Sequence, residues 1–162
     1  MKNNFSKYQG LGNDFIIFDA RSNNLDHLFS KNKDNFIEHL CNRNFGIGAD
    51  GIILILESNN KCFVRMKIYN SDGSEPEMCG NGIRCLIAFL NDNNEINELS
   101  EIPIETKAGL ILTSIDGNEN IKVNMGEPIL SPLDIPTKLL MNSLKVPNGV
   151  ITLKDQILKK AM

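Results

Sequence analysis

Apolar and polar positions divide the first 125 or so residues into short, contrasting segments. Phe15–Asp19 (FIIFD) is a compact apolar run behind a glycine turn and predicts a strand. Asn35–Asn42 carries apolar residues at 36, 37, 40 and 41, a helical spacing closed by Asn44 and Gly46. Gly51–Glu57 (GIILILE) reads as a buried strand. Cys62–Tyr69 alternates, with Cys62, Val64, Met66 and Ile68 on one face and Arg65 and Lys67 on the other, which predicts a half-buried strand. After the turn-rich Asn70–Glu77 comes Asn81–Leu90 (NGIRCLIAFL), apolar nearly all round, with Arg84 its one charge. A helix without a polar face is buried on every side. Short strands before and after it predict a sheet wrapped around one central helix. Ile102–Glu105, Leu110–Ile115 and Ile121–Met125 read as further strands, the last two joined through the turn Asp116–Asn120.

Beyond Gly126 the texture changes. Pro128, Pro132, Pro136 and Pro147 punctuate a poorly patterned stretch. A boundary is expected near residue 127, with 1–127 forming one unit and 128–162 too short for a second core.

Composition narrows the function. The 162 residues carry a net charge of −3, which excludes the electrostatic footprint of a nucleic-acid or membrane-surface protein. The longest apolar runs, Gly51–Leu56 and Cys85–Leu90, fall far short of the ~20 residues that span a bilayer. Met1–Gly10 has no apolar core of a secretory signal. The four cysteines (Cys41, Cys62, Cys79, Cys85) are therefore expected to be thiols in a cytosolic chain.

The densest chemistry lies in Met78–Cys85 (MCGNGIRC). Cys79 sits just ahead of the buried helix, where unpaired N–H groups and the positive dipole end favour a thiolate. Gly80 and Gly82 let a ligand approach the backbone and leave N–H groups for a carboxylate. The plainer reading, a structural cysteine followed by a glycine-rich cap, is equally compatible with the spacing. Six residues of helix rise ~9 Å, beyond the ~4.4–6.8 Å that a disulfide tolerates, so Cys79 and Cys85 are not expected to bridge. Cys41, Cys62 and Cys85 fall on apolar faces and are expected in the core. No C-x-x-C pair is present, and His27 and His39 lack ligand spacing to any cysteine, so no zinc site is expected. Gly46–Gly51 (GIGADG) matches G-x-G-x-x-G in reversed context, helix before and strand after, which argues against nucleotide binding and leaves Asp50 to shape a turn. Asn13 and Asp14 in the turn Gly10–Phe15, and Asn70 at a strand end, either bind polar groups of a ligand or fix their turns.

Four segments together, Lys7–Asp19 (KYQGLGNDFIIFD), Asn42–Ile53 (NRNFGIGADGII), Met66–Cys85 (MKIYNSDGSEPEMCGNGIRC) and Val123–Pro128 (VNMGEP), resemble the diaminopimelate epimerase family. The resemblance covers most of the first 128 residues, and GLGNDF and MCGNGIRC are its most specific parts. It implies an α+β fold of two pseudo-symmetric halves, each a sheet around a central helix, with this chain supplying the first. It implies interconversion of LL- and meso-diaminopimelate without pyridoxal phosphate, metal or any other cofactor, by two cysteines facing the substrate's α-carbon. By matching position, Cys79 is the first catalytic cysteine, Gly80 and Asn81 bind substrate at the helix start, and Asn13 and Asn70 contact its polar ends. Gln9 stands where many members have His, and Gly51 where some have a substrate-binding Gln. The second half, with its partner cysteine, is not found in the sequence, so the chain is expected to be a truncated epimerase with one half-site. A homodimer is expected from the same likeness.

Overall fold

The computed structural model describes residues 4–22, 25, 29, 33–96, 101–116 and 120–128. They belong almost entirely to a compact unit, Met1–Gly126; a second unit, Glu127–Met162, lies outside the described residues except at its start. Among the described residues no helix is long and apolar enough to cross a membrane.

The order of elements is β1 (Ser6–Gly10), β2 (Asn13–Asp19), α1 (Lys33–Cys41), β3 (Gly51–Leu56), β4 (Val64–Asn70), α2 (Gly80–Asp92), β5 (Ile102–Thr106), β6 (Gly109–Ile115) and β7 (Ile121–Val123). Among the described residues the seven strands form one sheet in chain order. The two helical crossovers, α1 between β2 and β3 and α2 between β4 and β5, make parallel pairs; every other neighbouring pair is antiparallel.

Side-chain alternation distributes the core. Phe15 and Ile17 of β2, Ile53 and Ile55 of β3, and Val64, Met66 and Ile68 of β4 face α2. The intervening residues, Ile16, Phe18, Ile52 and Leu54, join Ile37 and Cys41 of α1 in a second cluster on the opposite face. β3 is thus buried on both faces, which is why its sequence is an unbroken apolar run. β4 turns Val64, Met66 and Ile68 toward α2, with the half-buried Arg65 and Lys67 between them on the other face, where Tyr69 joins the second cluster.

α2 buries Ile83, Cys85, Leu86, Ile87, Phe89 and Leu90. Both edge strands, β1 and β7, touch it, so the sheet curls around the helix as its apolar circumference requires. Two polar clamps tie the far end. Tyr8 Oη donates to Asp92 Oδ2 at 2.7 Å. Arg21 bridges Asp19 and Glu95 with paired guanidinium bonds, joining the end of β2 to the segment after α2.

Two sequence expectations need correction. Cys62 lies ahead of β4, half-exposed, with its Sγ donating to Asn60 O at 3.7 Å. The strand begins only at Val64, because Lys61 adopts a left-handed backbone (φ 56) that ends the preceding turn too late for an alternating register. The last strand stops at Val123, so Met125 leaves the sheet and is 56% exposed.

The layered core predicts a sharp contrast. Leu86→Ala, at a fully buried α2 position, is expected to lower unfolding free energy by ~2–5 kcal/mol. Leu110→Ala, at an exposed β6 position, should stay within ~0.5 kcal/mol. Urea denaturation followed by circular dichroism measures both.

Candidate active site

Several chain turns converge at one end of the sheet. β1 and β2 are joined by Leu11 and Gly12, whose φ values are 57 and 84. Two left-handed residues match the twist of a tight hairpin, and only the glycine adopts this conformation without cost. Asn13 follows as the first residue of β2. Gly51 opens β3 at the same end, paired with Phe15 on one side and Asn70 on the other. A side chain on Gly51 would run into the Tyr69 carbonyl oxygen and lie 3.3 Å from the Phe15 ring. Close strand pairing therefore explains this glycine, and the segment 46–51 does run from helix to strand.

α2 also begins here. Cys79 is its N-cap, with an extended backbone (φ −143, ψ 116). Its Sγ accepts the Gly82 N–H at 3.4 Å, the bond that a capping oxygen usually takes. On its other side Cys79 Sγ–H donates to Asn13 Oδ1 at 3.9 Å. Asn81 Nδ2 donates to the same oxygen at 3.5 Å, and Arg84 Nη1 donates to Asn81 Oδ1 at 3.4 Å. The cleft above them, about 430 Å³ and open to one side, is lined by Cys79, Gly80, Asn81, Arg84, Val123 and Met125.

Four of the five residues to which the sequence points are thus brought together: Cys79, Gly80 and Asn81 on the cleft wall and Asn13 against the sulfur. Asn70 sits apart from that wall. It is exposed, and its Nδ2 donates to Ser74 Oγ at 2.9 Å within its own turn. Three cleft residues are missed by the sequence reasoning. Arg84 has a visible signal, a lone charge in an apolar helix. Val123 and Met125 lie in the family-like segment Val123–Pro128, but nothing in it marks them as cleft residues, because their place depends on where β7 ends.

A charged network stands behind Asn13. Asp50 Oδ2 accepts from Asn13 Nδ2 and from the Asp14 N–H, both at 3.0 Å. Arg43 reaches Asp14 at 2.7 Å and Asp50 at 2.8 Å, and Lys7 lies 3.1 Å from Asp14. The Arg43 guanidinium beside Asp14, with help from Lys7, holds that carboxyl well below the usual carboxylate range.

The remaining thiols differ in kind. Cys85, one and a half turns into α2, is 2% exposed and burial pushes it up to about 11. Burial likewise pushes Cys41 up to about 11. All four cysteines are free. Among the described residues no group of three or more His, Cys, Asp or Glu side chains is gathered as for a metal ion.

Comparison with known proteins gives this site a context. The family model described as "Diaminopimelate epimerase" matches residues 5–131. A diaminopimelate epimerase of Prochlorococcus marinus (strain NATL2A) is 99% identical over 158 residues, which is 98% of this chain and 56% of that protein. A chloroplastic diaminopimelate epimerase of Oryza sativa subsp. japonica is 49% identical over 135 residues, 83% of this chain and 37% of that protein. The chain thus spans about half the length of the Prochlorococcus relative. A solved hydroxyproline epimerase from Agrobacterium vitis, with bound trans-4-hydroxy-L-proline, superposes with a TM-score of 0.55 at 14% identity. It covers 74% of this chain and 40% of that one. At that identity the likeness is one of fold.

The burial of the thiols predicts a labelling pattern. Burial favours the neutral thiol, so Cys41 and Cys85 stay protonated and unreactive until the pH nears their raised values. Iodoacetamide at pH 8 is expected to modify the half-exposed Cys79 and Cys62 in the folded chain and to spare Cys41 and Cys85. In urea all four should react. Peptide mass spectrometry reads the pattern.

Proposed function

The chain belongs to the diaminopimelate epimerase family, and from that premise we propose that it carries one thiol face of a site that interconverts LL- and meso-diaminopimelate. The observation that carries this reading is the setting of Cys79. Its sulfur opens onto the cleft, accepts one N–H from the helix start and faces one amide oxygen. As a thiolate it removes the substrate's α-proton, becoming S–H, while the electron pair left on carbon spreads into the carboxylate. N–H groups at the start of α2 stabilise that charge. A proton delivered to the opposite face gives the inverted configuration, and a proton returned by Cys79 restores the original one. Gly80 and Asn81 hold the substrate at the helix start, and Asn13 and Asn70 its polar ends. The step is general acid–base catalysis and calls for no cofactor. The same reading takes the protein as a cytoplasmic enzyme of lysine and peptidoglycan-precursor synthesis that acts on a small molecule, forms a homodimer, and has no nucleic-acid or membrane partner.

A second reading has its own observation. Among the described residues one thiol reaches the cleft, since Cys85 is sealed in the core. A single thiol exchanges the α-proton on one face, or binds the ligand, without inverting it. Under this reading the chain is one half of the site.

Proton NMR of LL-diaminopimelate in D₂O with the reduced chain separates these readings. Loss of the α-proton signal with growth of the meso isomer is expected for a complete epimerase. Loss without the meso isomer is expected for one working face. Cys79→Ala should lower exchange by at least about a hundredfold. Cys85→Ala should leave exchange in place and lower the melting temperature. Exchange that survives the Cys79 change and vanishes with the Cys85 change would reverse the roles of the two thiols.

A further inference from the structure

Asn13 and Asn81 each carry an amide that can be turned by 180° with little change of shape, exchanging a donor for an acceptor. In this fold neither is free to turn. The Asp50 carboxylate only accepts, and it takes the Asn13 Nδ2 bond at 3.0 Å. Asn13 Oδ1 must then point the other way, toward Cys79 Sγ and Asn81 Nδ2. The Arg84 guanidinium only donates, and it faces Asn81 Oδ1. That leaves Asn81 Nδ2 directed at Asn13. A cation at one end and an anion at the other thus set the direction of both amides between them.

The geometry points to Asp50 as a positioning residue for Cys79, acting through Asn13. The carboxylate is itself held. The Asp14 N–H donates to Oδ2 and Arg43 to Oδ1. The Asp50 N–H donates in turn to the Asp14 carbonyl at 3.0 Å, locking the loop before β3 to the start of β2. The consequence falls on the sulfur. Gly82 offers it a donor and Asn13 an acceptor, so thiolate and thiol each find one partner in place. A residue that must take a proton and give one back needs both. Were Asn13 turned, Cys79 would face two donors, and the thiolate alone would be favoured.

The inference rests on the reading of Cys79 as the proton-transfer group, but its test needs no turnover, so the two can fail separately. The charged or titratable groups around this site are Arg84, which shares the cleft wall with Cys79, Cys85 further along α2, and Asp50 and Asp14, which stand behind Asn13. The rate of Cys79 alkylation by iodoacetamide is followed against pH, by peptide mass spectrometry, in the intact chain and in variants. Asp50→Ala removes the shorter of the two bonds that orient Asn13 and leaves the 3.5 Å bond from Asn81, so Asn13 turns for part of the time, the profile should move to lower pH and the rate at neutral pH should rise about threefold or more. Asp50→Asn removes the charge but keeps an oxygen for Asn13 Nδ2, so its profile should stay with the unsubstituted chain. In an Asn13→Ala background, Asp50→Ala should shift nothing further. Equal shifts for Asp50→Ala and Asp50→Asn would mean that Asp50 acts through its charge, and would overturn the inference. An Asp50→Ala shift that persists without Asn13 would do the same. Should Asp50→Ala fail to fold, NMR of the unsubstituted chain decides. Side-chain amide protons of Asn13 should show nuclear Overhauser contacts to the Asp50 methylene and none to that of Cys79, and the reverse pattern overturns the proposal.

Discussion

The structure depends on a helix with almost no polar side. α2 presents isoleucine, leucine and phenylalanine over most of its circumference, and a surface of that kind is stable only when covered on all sides. A flat sheet covers one side of a helix. The seven strands therefore curl until β1 and β7, the two edges, both reach it. The same demand places the chemistry. The apolar stretch runs up to Gly82, so the N-terminus of α2 is the point where the helix emerges from its wrapping. The β1–β2 turn, the start of β3 and the cap residue Cys79 all meet there.

Much of this fold is legible in the sequence, for a physical reason. Burial on two faces, on one face or all round leaves three different sequence textures, and β3, β4 and α2 show one each. The position of Cys79 at a helix start follows from the abrupt change from SDGSEPE to an apolar run. β1 leaves no such trace, because its alternating exposure is carried by Lys7, Tyr8 and Gln9, which give little apolar contrast. Cys62 misleads because its apolar character continues the period of β4 beyond the point where the backbone does.

The site is legible in its residues and not in its connections. Cys79, Gly80 and Asn81 are contiguous, and a motif records contiguity. The link from Asn13 to Asp50 crosses 37 residues and two strands. It arises because parallel pairing brings the beginnings of β2 and β3 side by side. Asp50, Arg43, Asp14 and Lys7 look individually like surface charges on turns. Only the sheet register gathers them behind one amide. Asn70 shows the converse. It lies on the same sheet end, yet its side chain is engaged with Ser74.

The cap at the start of α2 has a further consequence. The Gly82 N–H has a sulfur as its partner where most helices offer oxygen. Sulfur is the poorer acceptor when neutral and a good one when charged. The first turn of the helix is then held more tightly while Cys79 is ionised and less tightly once it carries a proton. Gly80 and Asn81 form the cleft wall on that turn. Local breathing of the cleft wall is thereby tied to the protonation state of this one sulfur, and the wall loosens when the sulfur carries its proton.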